Sequence, residues 1–276
     1  MFVKPLRIAL VCLTLATTAQ AQVQDTIGTK SPLFVGKDLI LLGAFTVGTV
    51  LVAPLDLKVA NRLQDSATQA NRFLHHAATN FRLLGDPGSF VTGTAVYLIG
   101  RAQGNRRVES VGLHSVEAIL LADVLGGAIK FTVGRQRPFV DVKTPDNFQL
   151  WRGFKGDQWR SFPSGHTITA FAFASTVTRE VKFWRPGATW YVGTVFYGGA
   201  SLVGLSRIYN NQHWASDVLV GAGIGTFAGL KVVRYHDSRP NNGIDRLLLS
   251  VAVVPGEDGG RELRWSVLPA ALLERR

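Results

Sequence analysis

The sequence predicts an all-α protein built on six core helices, with a short β-hairpin at its C-terminus. Three observations support this. First, six apolar runs recur along the 276 residues: Leu39 to Ala53, Phe90 to Gly100, Val111 to Val133, Thr167 to Thr178, Tyr191 to Leu205 and Val218 to Leu230. Second, the runs are long for strands, and their Gly and Ala content suits close helix packing. Third, polar, charged or Pro-containing stretches separate them, with no internal repeat or low-complexity tract.

Taken in order, residues 1–21 read as a secretory signal. Lys4 and Arg7 give a basic start, Ile8 to Ala16 an apolar run, and Ala19-Gln20-Ala21 a small-residue cleavage site. Cys12, the only cysteine, lies inside this segment, so the remainder is expected to hold neither disulfides nor thiolate zinc. Residues 22–37 form a polar lead-in, and Pro54 closes the first apolar run. Residues 56–86 are mixed and charged and read as an amphipathic helical stretch. The helical domain is expected over 22–240, and a hairpin tail over 241–276. In that tail Leu247 to Val254 and Leu263 to Leu268 flank the turn Pro255-Gly256-Glu257-Asp258-Gly259-Gly260, and Leu263, Trp265 and Val267 alternate with Arg264 and Ser266. Its expected role is packing against the bundle.

The formal charge is +11 and the pI about 10.2, which suggests an anionic partner. No compact Lys/Arg run appears, so nucleic acid is not expected. Losing Lys4 and Arg7 with the signal would lower the charge by two, to +9. The apolar runs fall between core-helix and membrane-span lengths, and the mean hydropathy of +0.15 is modest. Lys231 and Arg179 are placed to extend two runs by snorkelling. The sequence fits an exported protein of the bacterial envelope, in the inner membrane or the periplasm, with its active site facing the periplasm. It sets neither the number of spans nor an oligomeric state.

Three motifs carry the chemistry. Lys130 is followed after six residues by Arg137-Pro138; Pro163-Ser164-Gly165-His166 comes next; then Ser206-Arg207, five residues, His213, three residues, Asp217. Lys130, Arg137 and Arg207 supply fixed cations suited to phosphate oxygens, where catalysis is mostly positioning and charge stabilisation. Pro138 is expected to stop the third helix just after Arg137, and Arg135 is an accessory cation. Ser164-Gly165-His166 opens the fourth helix, where free N–H groups and the helix dipole favour an anion. His213 and Asp217 stand one helical turn apart, so the carboxylate is placed to accept the Nδ1–H and leave Nε2 basic.

Taken singly, each motif also fits a plain structural role: a solvated arginine, an ordinary Ser-capped helix, an i,i+4 polar pair. Together, in this order and spacing, the motifs resemble the type 2 phosphatidic acid phosphatase superfamily, which also contains bacterial acid phosphatases and vanadium haloperoxidases. All the signature positions match. The resemblance implies a helical bundle of that kind and a phosphatase that needs no metal or other cofactor. It implies that the Ser164 hydroxyl and Gly165 N–H bind phosphate, and that His213 is the nucleophile forming a phosphohistidine. It further implies that His166 is general acid towards the leaving oxygen and then base towards water. The apolar runs favour a lipid phosphate or pyrophosphate as the anionic ester substrate. Alternatives on the same pocket are a soluble periplasmic acid phosphatase of broad specificity, a vanadium haloperoxidase, a phosphotransferase and a non-catalytic lipid-binding protein. His75, His76, His114 and His236 are expected to be surface or capping residues. Trp151, Trp159 and Trp214 flank the motifs, as interface, entrance or packing groups. Residues 139–162 are expected to form a loop over the site that sets substrate choice.

Overall fold

The computed structural model describes residues 32–239, 242–248, 251–255 and 261–265. The expected signal segment, residues 1–21, lies outside them. The described residues are mainly helical. α1 (Gly36–Val52) passes through a tight turn at Ala53–Leu55 into α2 (Asp56–Leu63), then α3 (Ser66–Gln69), α4 (Arg72–Gly85) and α5 (Gly88–Ala102). α6 (Arg106–Val133), α7 (Gly165–Trp184), α8 (Thr189–Tyr209), α9 (Ala215–Ser238) and α10 (Gly243–Leu248) follow. The charged stretch at 56–86 is thus three helices rather than one, divided by polar turns. Two starts are capped as their sequence dictates: Asn71 accepts from Leu74 N–H and Asn105 from Val108 N–H.

α7 is the central helix. It packs against α6, α8 and α9; α5 covers α6, α4 covers α8, and α1 lies along α9. Small residues make this possible. Ala118, Ala122, Ala172 and Ala228 form one core with Ile119 and Ile168. On α9, Gly221, Gly225 and Gly229 recur at four-residue spacing against α7; a Cβ at Gly225 would fall 2.3 Å from Ile168 O. Backbones this close leave no room for larger side chains.

Exposed apolar side chains line the outer helices and also the 134–164 loop, where Leu150, Trp151 and Phe154 are exposed. Leu39, Ile40, Val50 and Leu51 of α1, Leu98 of α5, Val124 of α6 and Trp190 of α8 are each more than half exposed. Two stretches, Gly36–Leu63 and Ala215–Ser238, are long and apolar enough to cross a membrane; the second is mostly buried within the bundle. Lys231 does not snorkel. It is buried, pairs with Asp38, donates to Leu33 O at 2.8 Å and lies against the rings of Phe34 and Phe227.

α6 ends earlier than Pro138 would dictate. Gly134 adopts the left-handed conformation at φ 59°, and a Cβ there would sit 2.1 Å from Gln149 O. Only glycine accommodates both demands, so Arg135 and Arg137 lie in the following loop. The backbone of β1 (Val251–Pro255) pairs antiparallel with β2 (Arg261–Trp265), Val251 opposite Trp265. The Gly-rich turn, residues 256–260, lies outside the described residues. Leu247 and Leu248, expected in the first arm, fall in α10.

Candidate active site

The C-terminal ends of α6 and α8 and the N-terminal ends of α7 and α9 meet at one end of the bundle, joined by the 134–164 loop. Every residue expected from the three motifs is brought to this end. Lys130, in the last turn of α6, donates to Pro163 O at 2.7 Å and Arg160 O at 3.1 Å, tying that helix to the turn before α7. Arg137 is buried and held from three sides. Nε donates to Asp157 O at 2.9 Å, one terminal nitrogen to the Asp157 carboxylate at 2.9 Å, and the other to Gln212 Oε1 at 2.5 Å. Arg207 is buried too, and its Nε has no hydrogen-bond partner. That nitrogen is therefore not committed to any protein acceptor among the described residues.

Ser164 occupies the cap position of α7, yet its hydroxyl does not cap the helix. It accepts from Thr167 Oγ1 at 2.9 Å, and Ser164 N–H donates to Asp217 O at 3.1 Å. The first-turn N–H groups are therefore not claimed by that side chain. A Cβ placed at Gly165 would meet nothing within 4 Å, so the missing side chain keeps open volume beside these donors. Gly165→Ala is accordingly expected to fold normally while lowering kcat/KM about tenfold or more; thermal melting alongside steady-state kinetics checks both halves.

The arrangement around His213 differs from the sequence expectation. Asp217 Oδ2 lies 3.8 Å from His213 Nδ1, beyond a hydrogen bond. Nδ1 instead meets Ser161 O at 2.6 Å. A carbonyl only accepts, so Nδ1 carries the proton and Nε2 keeps its lone pair. Asp217 acts one step removed. It accepts from Ser161 Oγ at 2.5 Å and Trp214 N–H at 2.8 Å, and Arg135 donates to it at 2.6 Å. Asp217 thereby fixes both segments that hold the imidazole. Burial pulls the His213 pKa below its ordinary value, to about 4; the Asp217 carboxylate opposes this, and Lys130 and Arg137 reinforce it. The ring is neutral over the physiological range. His166 lies within electrostatic reach of Arg207, His213 and Lys130, so both histidines share the cationic end of the bundle.

Arg135, expected as an accessory cation, is a structural residue. It is buried, bridges Asp217 and Asp56, donates to Pro145 O and lies over the rings of Phe148 and Trp214. Asp56 in turn accepts from Ser216 N–H at 2.8 Å and from its hydroxyl. Sequence reasoning missed Asp56, Asp157, Ser161 and Gln212. Adjacency to His213 was the only local signal for Gln212, and no local signal marked the others. Trp214 and Trp159 are packing groups, while Trp151 is exposed beside Phe154.

The PAP2 superfamily model matches residues 112–240. Over 126 residues the chain is 39% identical to a lipid A 1-phosphatase of Porphyromonas gingivalis, covering 45% of this chain and 24% of that protein. It is 28% identical over 143 residues to an undecaprenyl-diphosphatase of Sulfolobus acidocaldarius, covering 52% of this chain and 64% of that one. The chain thus spans 24% of one relative's length and 64% of the other's. The fold matches the crystal structure of a transmembrane PAP2 type phosphatidylglycerolphosphate phosphatase from Bacillus subtilis, with a TM-score of 0.52 at 18% identity, over 74% of this chain and 97% of that one.

Proposed function

We propose that the PAP2 superfamily domain this chain carries at residues 112–240 hydrolyses phosphate or pyrophosphate esters of lipids through a phosphohistidine on His213. The observation that carries this reading is the fixed tautomer of His213, whose Nδ1–H is spent on Ser161 O at 2.6 Å amid Lys130, Arg137 and Arg207. In the first step Nε2 attacks phosphorus as the bond to the leaving oxygen breaks, and His166 gives that oxygen a proton. In the second, water attacks the phosphohistidine, His166 takes its proton, the N–P bond breaks and inorganic phosphate leaves. Lys130, Arg137, Arg207, the Ser164 hydroxyl and the Gly165 N–H stabilise the equatorial oxygens throughout. Three cations give the charge neutralisation that a metal ion supplies elsewhere, so activity is expected to persist in EDTA.

A lipid substrate is supported by the exposed apolar faces of α1, α5, α6 and α8 and by the relatives' names. The same faces support a membrane-embedded bundle with its site facing the periplasm; for a chain that starts outside after an export signal this requires an even number of spans before Lys130, so α1, α5 and α6 do not all cross. We assign residues 1–21 to an export signal, 22–240 to the helical domain and 241–276 to an appended tail containing the hairpin. Phosphate release by detergent-purified protein tests the substrate class. A prenyl pyrophosphate or phosphatidic acid is expected to turn over much faster than a soluble aryl phosphate; equal or faster turnover of the aryl ester would indicate a broad acid phosphatase instead. Membrane fractions washed with high salt should retain the protein, and release by salt would contradict embedding.

The His213 environment also sets a pH dependence. A group with a depressed pKa stays deprotonated, and nucleophilic, down to its folded value. With that value about 4, kcat/KM should lack the acid limb near 6.5 that an ordinary histidine nucleophile gives. A pH–rate profile falling through 6 to 7 on the acid side would contradict this.

A further inference from the structure

His114 and His236, expected as surface or capping residues, are instead buried and stacked with ring centroids 3.9 Å apart. They lie at the end of the bundle opposite the active site, about 24 Å along α6 from Lys130. Each ring uses one nitrogen on a glutamate: His114 Nδ1 lies 2.5 Å from Glu180 Oε1, and His236 Nε2 lies 2.7 Å from Glu117 Oε2. The other nitrogens turn towards one oxygen, Asp245 Oδ1, at 3.7 Å from His114 Nε2 and 2.7 Å from His236 Nδ1. His114 Nε2 and Asp245 Oδ1 are buried without a hydrogen-bond partner. Asp245 Oδ2 accepts from Asn242 Nδ2 at 2.6 Å, and that amide also lies 3.2 Å from His236 Nδ1.

We propose that His114 Nε2, His236 Nδ1 and Asp245 Oδ1 form a second, structural site for a divalent transition metal of the zinc class. The three ligand atoms lie within 4.8 Å of one another. A tetrahedral ion with bonds of about 2.0–2.1 Å needs them about 3.3 Å apart; the two rings, stacked at 3.9 Å, must rotate out of the stack so that both lone pairs point at the ion, with water as fourth ligand. The outer groups fit the same purpose. Metal-bound histidines characteristically donate their other N–H to a carboxylate, which fixes the tautomer and raises ligand basicity; Glu180 and Glu117 stand at those positions. Charge favours the ion as well: three carboxylates, Glu117, Glu180 and Asp245, face the two rings, and a cation among them offsets that negative charge. Bound metal would fasten α10 to α6 and α9, fixing the start of the C-terminal tail.

The test uses full-length protein in detergent, with any affinity tag removed, stripped with EDTA and titrated with Zn2+ and separately Co2+. Wild type is expected to bind one tight equivalent, to melt at a higher temperature with Zn2+, and to give the visible bands of four- or five-coordinate Co2+. The double variant His166→Ala/His213→Ala should keep all three signals, because it alters only the other end. Asp245→Asn should lose the tight equivalent and the melting shift, and Glu117→Gln, which leaves all three ligands in place, should weaken binding about 10–100-fold. No saturable equivalent in wild type would overturn the proposal. So would an equivalent that vanishes in the active-site double variant and survives in Asp245→Asn. These readouts do not depend on hydrolysis, so they stand or fall separately from the phosphatase reading.

Discussion

His213→Ala is expected to lower phosphate release on the order of 1,000-fold or more while leaving the fold intact. The large effect follows from its role. Without Nε2 no covalent intermediate forms, and the remaining groups stabilise charge around a water that has no activated path to phosphorus. The small structural effect follows from its contacts. The bond lost with the ring is the one from Nδ1 to Ser161 O, costing about 1 kcal/mol. Lys130 and Arg137 are anchored independently of His213, and Arg207 is carried by α8, so substrate should still bind. Steady-state kinetics with a melting curve separates the two effects. Retained turnover in a well-folded His213→Ala protein would remove His213 from the chemistry.

Arg135→Leu is expected to have the largest effect on stability, about 3–5 kcal/mol, with activity lost as a consequence. The side chain joins Asp217 at 2.6 Å and Asp56 at 2.8 Å, both carboxylates fully buried. Removing the guanidinium leaves two buried carboxylates close together without the counter-charge they share. Lysine keeps the charge but lacks the planar fork that reaches both acids, so Arg135→Lys should fall between. A melting temperature for Arg135→Leu equal to wild type would show that the bridge is energetically idle. Because Asp217 also accepts from Ser161 Oγ and Trp214 N–H, partial loss in Arg135→Lys should appear in kcat before KM: the imidazole loses its alignment while the phosphate cations stay in place.

The contrast between these two residues shows what the sequence made legible. The motif residues are read from short local spacings, and helix ends bring them together wherever the helices pack antiparallel. Arg135 and Arg137 look alike in sequence, two positions apart, yet one bridges Asp217 and Asp56 while the other is held by Asp157 and Gln212. What distinguishes them is Asp56, 79 residues from Arg135, and Gln212, 75 residues from Arg137; no local pattern carries such contacts. The same holds for His114 and His236, whose carboxylate partners Glu180 and Glu117 stand 66 and 119 residues away. Asp217 illustrates a subtler case. The i,i+4 spacing predicts that it bonds His213, but His213 lies ahead of α9, 3.8 Å away; the cap of α9 draws Oδ2 towards Trp214 N–H and Ser161 Oγ, and a backbone carbonyl accepts the imidazole N–H. Likewise the stop of α6 was set by Gly134 in the left-handed region rather than by the more visible Pro138.

The most direct measurement is acid-free trapping of the covalent intermediate. Detergent-purified wild-type protein in EDTA is mixed with a substrate carrying radiolabelled phosphate and quenched in alkali within the first turnovers, and the peptides are then mapped. Label that survives alkali, is lost in acid and resides on the peptide containing His213 is the expected result. Full turnover with no such label on that peptide, or label on His166 instead, would contradict a phosphohistidine at His213.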